Sequence, residues 1–269
     1  MPSCSLFDKA KPGHGLQALL YVEFCREFNP MGQAGNMNAK ALLRRVVAEV
    51  GAHTPNSVLS GLDSMVSHFH TARWMREAGY SPKIRVPSRF DLIKRLAAEI
   101  ADHEVLYLEF GVWKGESIKQ WSNLLKNSAS RLHGFDSFEG LPEDWTRNAD
   151  NAFGLEKGHF TTQGVIPEVS DPRIKFYPGW FEETLPGYRF VDSPVLVIFL
   201  DADIYSSTQY VLKTLQPHIK VGTILYFDEF WDPLHEQRAF KEFLAETGFK
   251  LEAIAADYGM NHVAFRRVQ

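Results

Sequence analysis

Apolar residues recur at three- and four-residue spacings over Ala39 to Val50 and Val58 to Ala78, which predicts two amphipathic helices separated by breaker residues. From Asp91 onward the pattern becomes an alternation of strand and helix signals. A leading helix is predicted over Asp91 to Ile100, then strand Val105 to Phe110, a glycine-containing turn, and a helix from Glu116 to Lys126. A second strand, Arg131 to Asp136, precedes a long polar segment reaching Pro172, after which come strand Ile174 to Tyr177 and a short helix near Trp180 to Thr184. Val195 to Leu200 is continuously apolar, as a central parallel strand covered on both faces must be. Helix Ser206 to Leu215, strand Thr223 to Phe227 and helix Leu234 to Glu246 follow, with Gly248 as the C-cap. Phe249 to Ala255 and His262 to Arg267, joined by a turn at Tyr258-Gly259, close the series as two last strands.

Alternating strands and helices predict a Rossmann-like α/β domain: a mostly parallel seven-stranded sheet with helices on both faces. The expected division is a helical N-terminal segment, residues 1–87, and an α/β domain, residues 88–269. The N-terminal segment carries no catalytic pattern. Its His68 and His70 stand two apart and point to different helix faces, so the segment reads as a cap over the active site or as the contact of a homodimer. The long segment before Pro172 carries Phe138, Trp145, Phe153 and Phe160, which favours an ordered insertion on the substrate side.

Composition narrows the function. With 269 residues, 45% of them hydrophobic, the chain can bury a substantial core. Its 29 basic and 33 acidic residues are intermixed and leave a net charge of −4, which offers no footprint for nucleic acid or an anionic membrane and points to a small-molecule partner. Cys4 and Cys25 are the whole cysteine content, which fits a reducing compartment. No basic stretch followed by an apolar one opens the chain, and Val195 to Leu200 is too short to span a bilayer, so a soluble cytoplasmic protein is expected.

Three features carry chemistry. Glu109-Phe110-Gly111-Val112-Trp113-Lys114-Gly115 follows a strand and opens a helix, where a backbone can approach a nucleotide-like ligand closely. Its acid followed by Gly-x-x-x-Gly differs from the pyrophosphate-wrapping Gly-x-Gly-x-x-Gly and suits the cationic S-adenosylmethionine (SAM), with Glu109, Gly111, Gly115 and Ser117 as candidate contacts. Asp136 ends the next strand near the offset at which doubly wound folds hold ribose hydroxyls, or it caps the loop that follows. Gly179 and Trp180 stand where an adenine pocket is expected.

The third feature is acidic. Asp201-Ala202-Asp203 ends the central strand and Asp228-Glu229 ends the next, so both pairs should meet in one crevice. Hard oxygen ligands favour magnesium or a similar divalent cation, although one or two of these acids could simply cap helices. Such a cation activates a hydroxyl nucleophile, and methyl transfer also needs a proton acceptor, for which Asp203, Glu229 and His159 are the candidates. Asp-x-Asp also occurs in metal-dependent glycosyltransferases, but that reading leaves the glycine turn and Asp136 unexplained.

With these motifs placed, the chain resembles the macrocin O-methyltransferase (TylF-type) family of class I SAM-dependent methyltransferases. The carriers are Leu108 to Ser117, Gly134-Phe135-Asp136-Ser137-Phe138-Glu139-Gly140-Leu141-Pro142, Gly179 to Pro186, Asp201 to Thr208, and Phe227-Asp228-Glu229-Phe230. The resemblance implies SAM contacts from Glu109, Gly111, Asp136 and Ser137, and magnesium held by Asp203, Asp228 and Glu229. It also implies a hydroxyl acceptor of the sugar or natural-product kind. Glu229 stands where sugar methyltransferases of this kind carry a second Asp.

Overall fold

The computed structural model describes residues 39–146 and 154–269. Cys4, Cys25 and Phe153 lie outside them. Helix α1 (Ala39–Ala52) buries none of its residues, and by contact it is grouped apart from residues 56–269, which form one compact unit.

Within that unit, α2 (Asn56–Glu77), β1 (Ile84–Val86), α3 (Arg89–Ile100), β2 (Val105–Phe110), α4 (Glu116–Leu124) and β3 (Arg131–Asp136) come first. After the long connection follow β4 (Ile174–Pro178), α5 (Phe181–Thr184), β5 (Val195–Leu200), α6 (Tyr205–Leu215), β6 (Ile224–Phe227), α7 (Glu236–Thr247), β7 (Leu251–Asp257) and β8 (Val263–Arg267). The strands form one sheet in the order β1-β7-β8-β6-β5-β2-β3-β4. Only β8 runs against its neighbours, β6 and β7.

The seven expected strands are all present, and an eighth, β1, pairs in parallel with β7 at the edge. It escapes a periodicity reading because three residues followed by Pro87 show no alternation. The expected boundary at residue 87 therefore falls inside the compact unit: β1 extends the sheet, and α2 sends Met75, 1% exposed, into its core.

Both faces of the sheet are covered, so every residue of β2 is buried. Alternation assigns them to two cores. Leu106, Leu108 and Phe110 pack on one side with Ile198, Leu200, Phe227 and the helices α6 and α7. Tyr107 packs on the other with Phe199, Tyr226, Leu92 and Leu96 of α3, and Trp121 of α4. The insertion between β3 and β4 is anchored by its own aromatics: Phe138 and Trp145 are buried, and Trp145 donates its indole N–H to Asp232 at 3.1 Å.

Chain ends are set by local chemistry. Gly248 adopts φ 69° and its N–H closes α7 on the Leu244 carbonyl at 2.9 Å, as expected of a C-cap. Helix α3 starts at Arg89, two residues before the predicted Asp91, because the Ser88 hydroxyl accepts from the Asp91 N–H at 3.2 Å. Gly111 holds φ 90° directly under β5, and a Cβ there would collide with the Asp201 carbonyl oxygen. Gly111→Ala should therefore destabilise the fold by more than about 2 kcal/mol, read from urea unfolding; a wild-type midpoint would refute this close approach.

Candidate active site

Strand register builds the site. Phe110, Leu200 and Phe227 lie side by side on β2, β5 and β6, and the ladder continues one step further, with the Asp201 N–H on the Phe110 carbonyl and the Asp228 N–H on the Leu200 carbonyl, both at 2.9 Å. Gly111, Asp201 and Asp228 are thus neighbours at the carboxyl end of the sheet. There they open into a cavity of about 240 Å³.

Of the residues singled out in the sequence, Gly111, Ser117, Asp136, Ser137, Trp180, Asp201, Asp203, Asp228 and Glu229 line this cavity. Glu109, Gly115, Gly179 and His159 do not. Glu109 is fully buried and accepts the Tyr107 hydroxyl, and burial, opposed by that hydrogen bond, pushes its carboxyl well above the ordinary range. Gly115 caps α4 with φ 74°. His159 is exposed and packs its ring edge-on against Phe160 at 4.5 Å, so it is not brought to the acids it was expected to assist.

Asp136 holds the glycine turn in shape. One carboxylate oxygen accepts from the Val112 and Trp113 N–H groups at 2.7 and 2.8 Å, and the other from Phe138 at 2.6 Å. The loop-capping reading of this residue is thereby realised, whatever else its position on the cavity wall allows.

Arg89 went unremarked in the sequence, yet it is the cation of the crevice. Its guanidinium pairs with Asp201 at 3.0 Å and Asp228 at 3.1 Å and donates to the Ser117 hydroxyl. Burial alone would lower its pKa, but Asp228 and Asp201 overcome this and hold it above the usual arginine value. His262 stands 3.2 Å from the other Asp228 oxygen. The one signal that pointed to Arg89 was the Ser88-x-x-Asp91 cap, which starts the helix at Arg89 and aims its first residue at the strand ends.

Asp203 and Glu229 take no share of that guanidinium. Asp203 sits at φ 59°, and no basic side chain pairs with it among the described residues. Burial first, then the charges of Asp201, Glu229 and Asp228, raise its carboxyl well above the ordinary range. Glu229 donates its backbone N–H to Glu236 at 2.9 Å and receives the Trp231 indole N–H on its carboxylate. Because Asp228 turns to Arg89 and Glu229 to Trp231, no three acid, histidine or cysteine side chains form a ready ligand set among the described residues.

Comparison with known proteins agrees with this architecture. The macrocin-O-methyltransferase (TylF) family model matches residues 83–267. Over 154 residues the chain is 31% identical to the 8-demethyl-8-(2,3-dimethoxy-alpha-L-rhamnosyl)-tetracenomycin-C 4'-O-methyltransferase of Streptomyces olivaceus, covering 49% of this chain and 57% of that one. It is 27% identical to the demethyldecarbamoylnovobiocin O-methyltransferase of Streptomyces niveus, covering 56% of this chain and 62% of the other. The matched stretch thus spans about three fifths of these relatives. In fold the chain is similar to the calicheamicin methyltransferase CalS11, with a TM-score of 0.50 and 21% identity over 66% of this chain and 77% of that one. The expected methyltransferase fold is therefore the observed one.

The charge at Asp203 makes a testable demand on stability. Folding raises its pKa, so the folded state favours the neutral acid, and stability declines as pH climbs from the ordinary carboxylate value toward the raised one. Asn mimics the neutral form at every pH. In EDTA, Asp203→Asn should raise Tm by about 2–4 °C at pH 8 and by less at pH 5; scanning calorimetry showing no pH-dependent gain would refute the unrelieved charge.

Proposed function

This chain belongs to the macrocin O-methyltransferase (TylF) family, and we propose that it transfers the methyl group of SAM to a hydroxyl oxygen of a sugar or other natural-product scaffold, assisted by magnesium. The observation that carries this reading is the opening of the glycine turn and the four strand-end carboxylates into one cavity. That wall holds Glu116, Asp136, Glu182, Asp201, Asp203, Asp228 and Glu229 against one base, Arg89, a balance suited to a cationic cosubstrate and poorly suited to a nucleoside diphosphate. The tetracenomycin relative is named for a rhamnosyl-bearing acceptor and both relatives are named as O-methyltransferases, which supports a hydroxyl acceptor.

SAM would lie along the turn, its methionine end toward Ser117 and Asp201 and its adenosine toward Asp136, Ser137 and Trp180. The in-line approach then places the acceptor hydroxyl near Asp203 and Glu229. The donor set fits a hard divalent cation: all candidate ligands are carboxylate oxygens, and among the described residues no basic side chain pairs with Asp203. Asp203, Asp228 and Glu229 are the residues that would hold it. When bound, such an ion lowers the pKa of an acceptor hydroxyl. Asp203 would take the hydroxyl proton as the oxygen bonds to the methyl carbon and S-adenosylhomocysteine leaves.

Two measurements test the reading. In calorimetry, S-adenosylhomocysteine should bind more tightly than a nucleoside diphosphate sugar; the reverse order sinks the assignment. In a methylation assay over a panel of neutral glycosides, EDTA should lower turnover by at least about 10-fold while leaving S-adenosylhomocysteine affinity intact, and full activity in EDTA removes magnesium from the scheme.

A further inference from the structure

A glutamate has more rotamers to lose than a shorter acid before its carboxylate is fixed, and Glu229 stands on the wall of the cavity. The structure supplies a fixture. Two residues on, the Trp231 indole N–H donates to the Glu229 carboxylate, and Trp231 as a whole is only 9% exposed. Its ring stacks on His68 of α2, with centroids 5.2 Å apart and planes 14° from parallel.

The imidazole lies between two acceptors, with Nδ1 2.6 Å from the Ser64 carbonyl and Nε2 2.9 Å from the Asn261 side-chain oxygen, and its one N–H donates to one of them. The Trp231 carbonyl in turn accepts the Thr71 hydroxyl of α2 at 3.1 Å. Ring and backbone of Trp231 are therefore both fastened to a helix that precedes the stretch matched by the family model, residues 83–267.

We propose that Trp231 is a positioning residue for Glu229, braced by His68 and Thr71, so that α2 is a working part of the active site. The indole N–H fixes the carboxylate at the crevice edge, and the helix fixes the indole. The catalytic part of this inference rests on the methyltransferase reading; the brace itself does not.

The test has two arms. In ¹H–¹⁵N correlation spectra, Trp231→Phe identifies the Trp231 indole resonance by its loss; Glu229→Asp, which withdraws the carboxylate, should move that resonance upfield, and His68→Ala should shift it as well. A resonance indifferent to Glu229→Asp overturns the proposal.

In the methylation assay, using the glycoside of highest turnover, Trp231→Phe keeps the stacked ring but removes the donor. It should lower kcat by about 10-fold with S-adenosylhomocysteine affinity unchanged. Added to Glu229→Asp it should cost nothing further, because both changes break one contact. Additive losses overturn the proposal. If the wild-type protein methylates no glycoside, the functional reading fails while the resonance arm still decides the brace.

Discussion

One guanidinium ties together the carboxyl end of this sheet. Adjacent strands lie about 4.8 Å apart, and β5 and β6 end in acids that face the same crevice, Asp201 and Asp228. Two carboxylates so close and so little hydrated repel strongly unless a cation stands between them. Arg89 is that cation, and it reaches the site only because the Ser88 cap starts α3 directly beside the strand ends. Its further bond to Ser117 ties the first turn of α4 to the same point. Three segments far apart in the chain are thus locked by one side chain.

What Arg89 does not neutralise defines the chemistry. Asp203 holds a left-handed backbone conformation, which disfavours a residue with a Cβ by roughly 1–2 kcal/mol. It also keeps a raised pKa among like charges. Neither feature aids folding, in keeping with the role proposed for this residue. Asp136 shows the opposite allocation: its carboxylate accepts two N–H groups of the glycine turn and one of the loop after β3, so it shapes the backbone around it.

Much of this was legible in the chain itself. Continuous apolar strands, the glycine turn and the two acidic pairs each follow from local pattern, and register then brings the turn and the pairs together, while Glu109, read as a contact, is buried against Tyr107 instead. β1 was not legible, since three residues before a proline have no period and the strand exists only because β7 offers an edge. Arg89 was equally hidden: its partner Asp201 lies 112 residues away, and an arginine at a helix start reads as a surface charge until the fold is known. His159 erred in the other direction. A histidine on a loop near the motifs looked catalytic, but its ring packs on Phe160 and stays exposed.

The same reasoning explains why the N-terminal helix resisted interpretation. α2 buries only Thr71 and Met75, so its pattern signals no deep core and suggested a cap over the active site or a dimer contact. Yet a helix can matter through a few polar and aromatic contacts rather than through area. His68 and Thr71 touch Trp231, and Gln237, fully buried on α7, joins Thr71 to the Phe230 carbonyl. These bonds converge on the short connection after β6 that carries Glu229. A glutamate side chain has several rotamers to lose before its carboxylate is fixed, and the contacts that restrain its Trp231 partner come from outside the sheet, from α2.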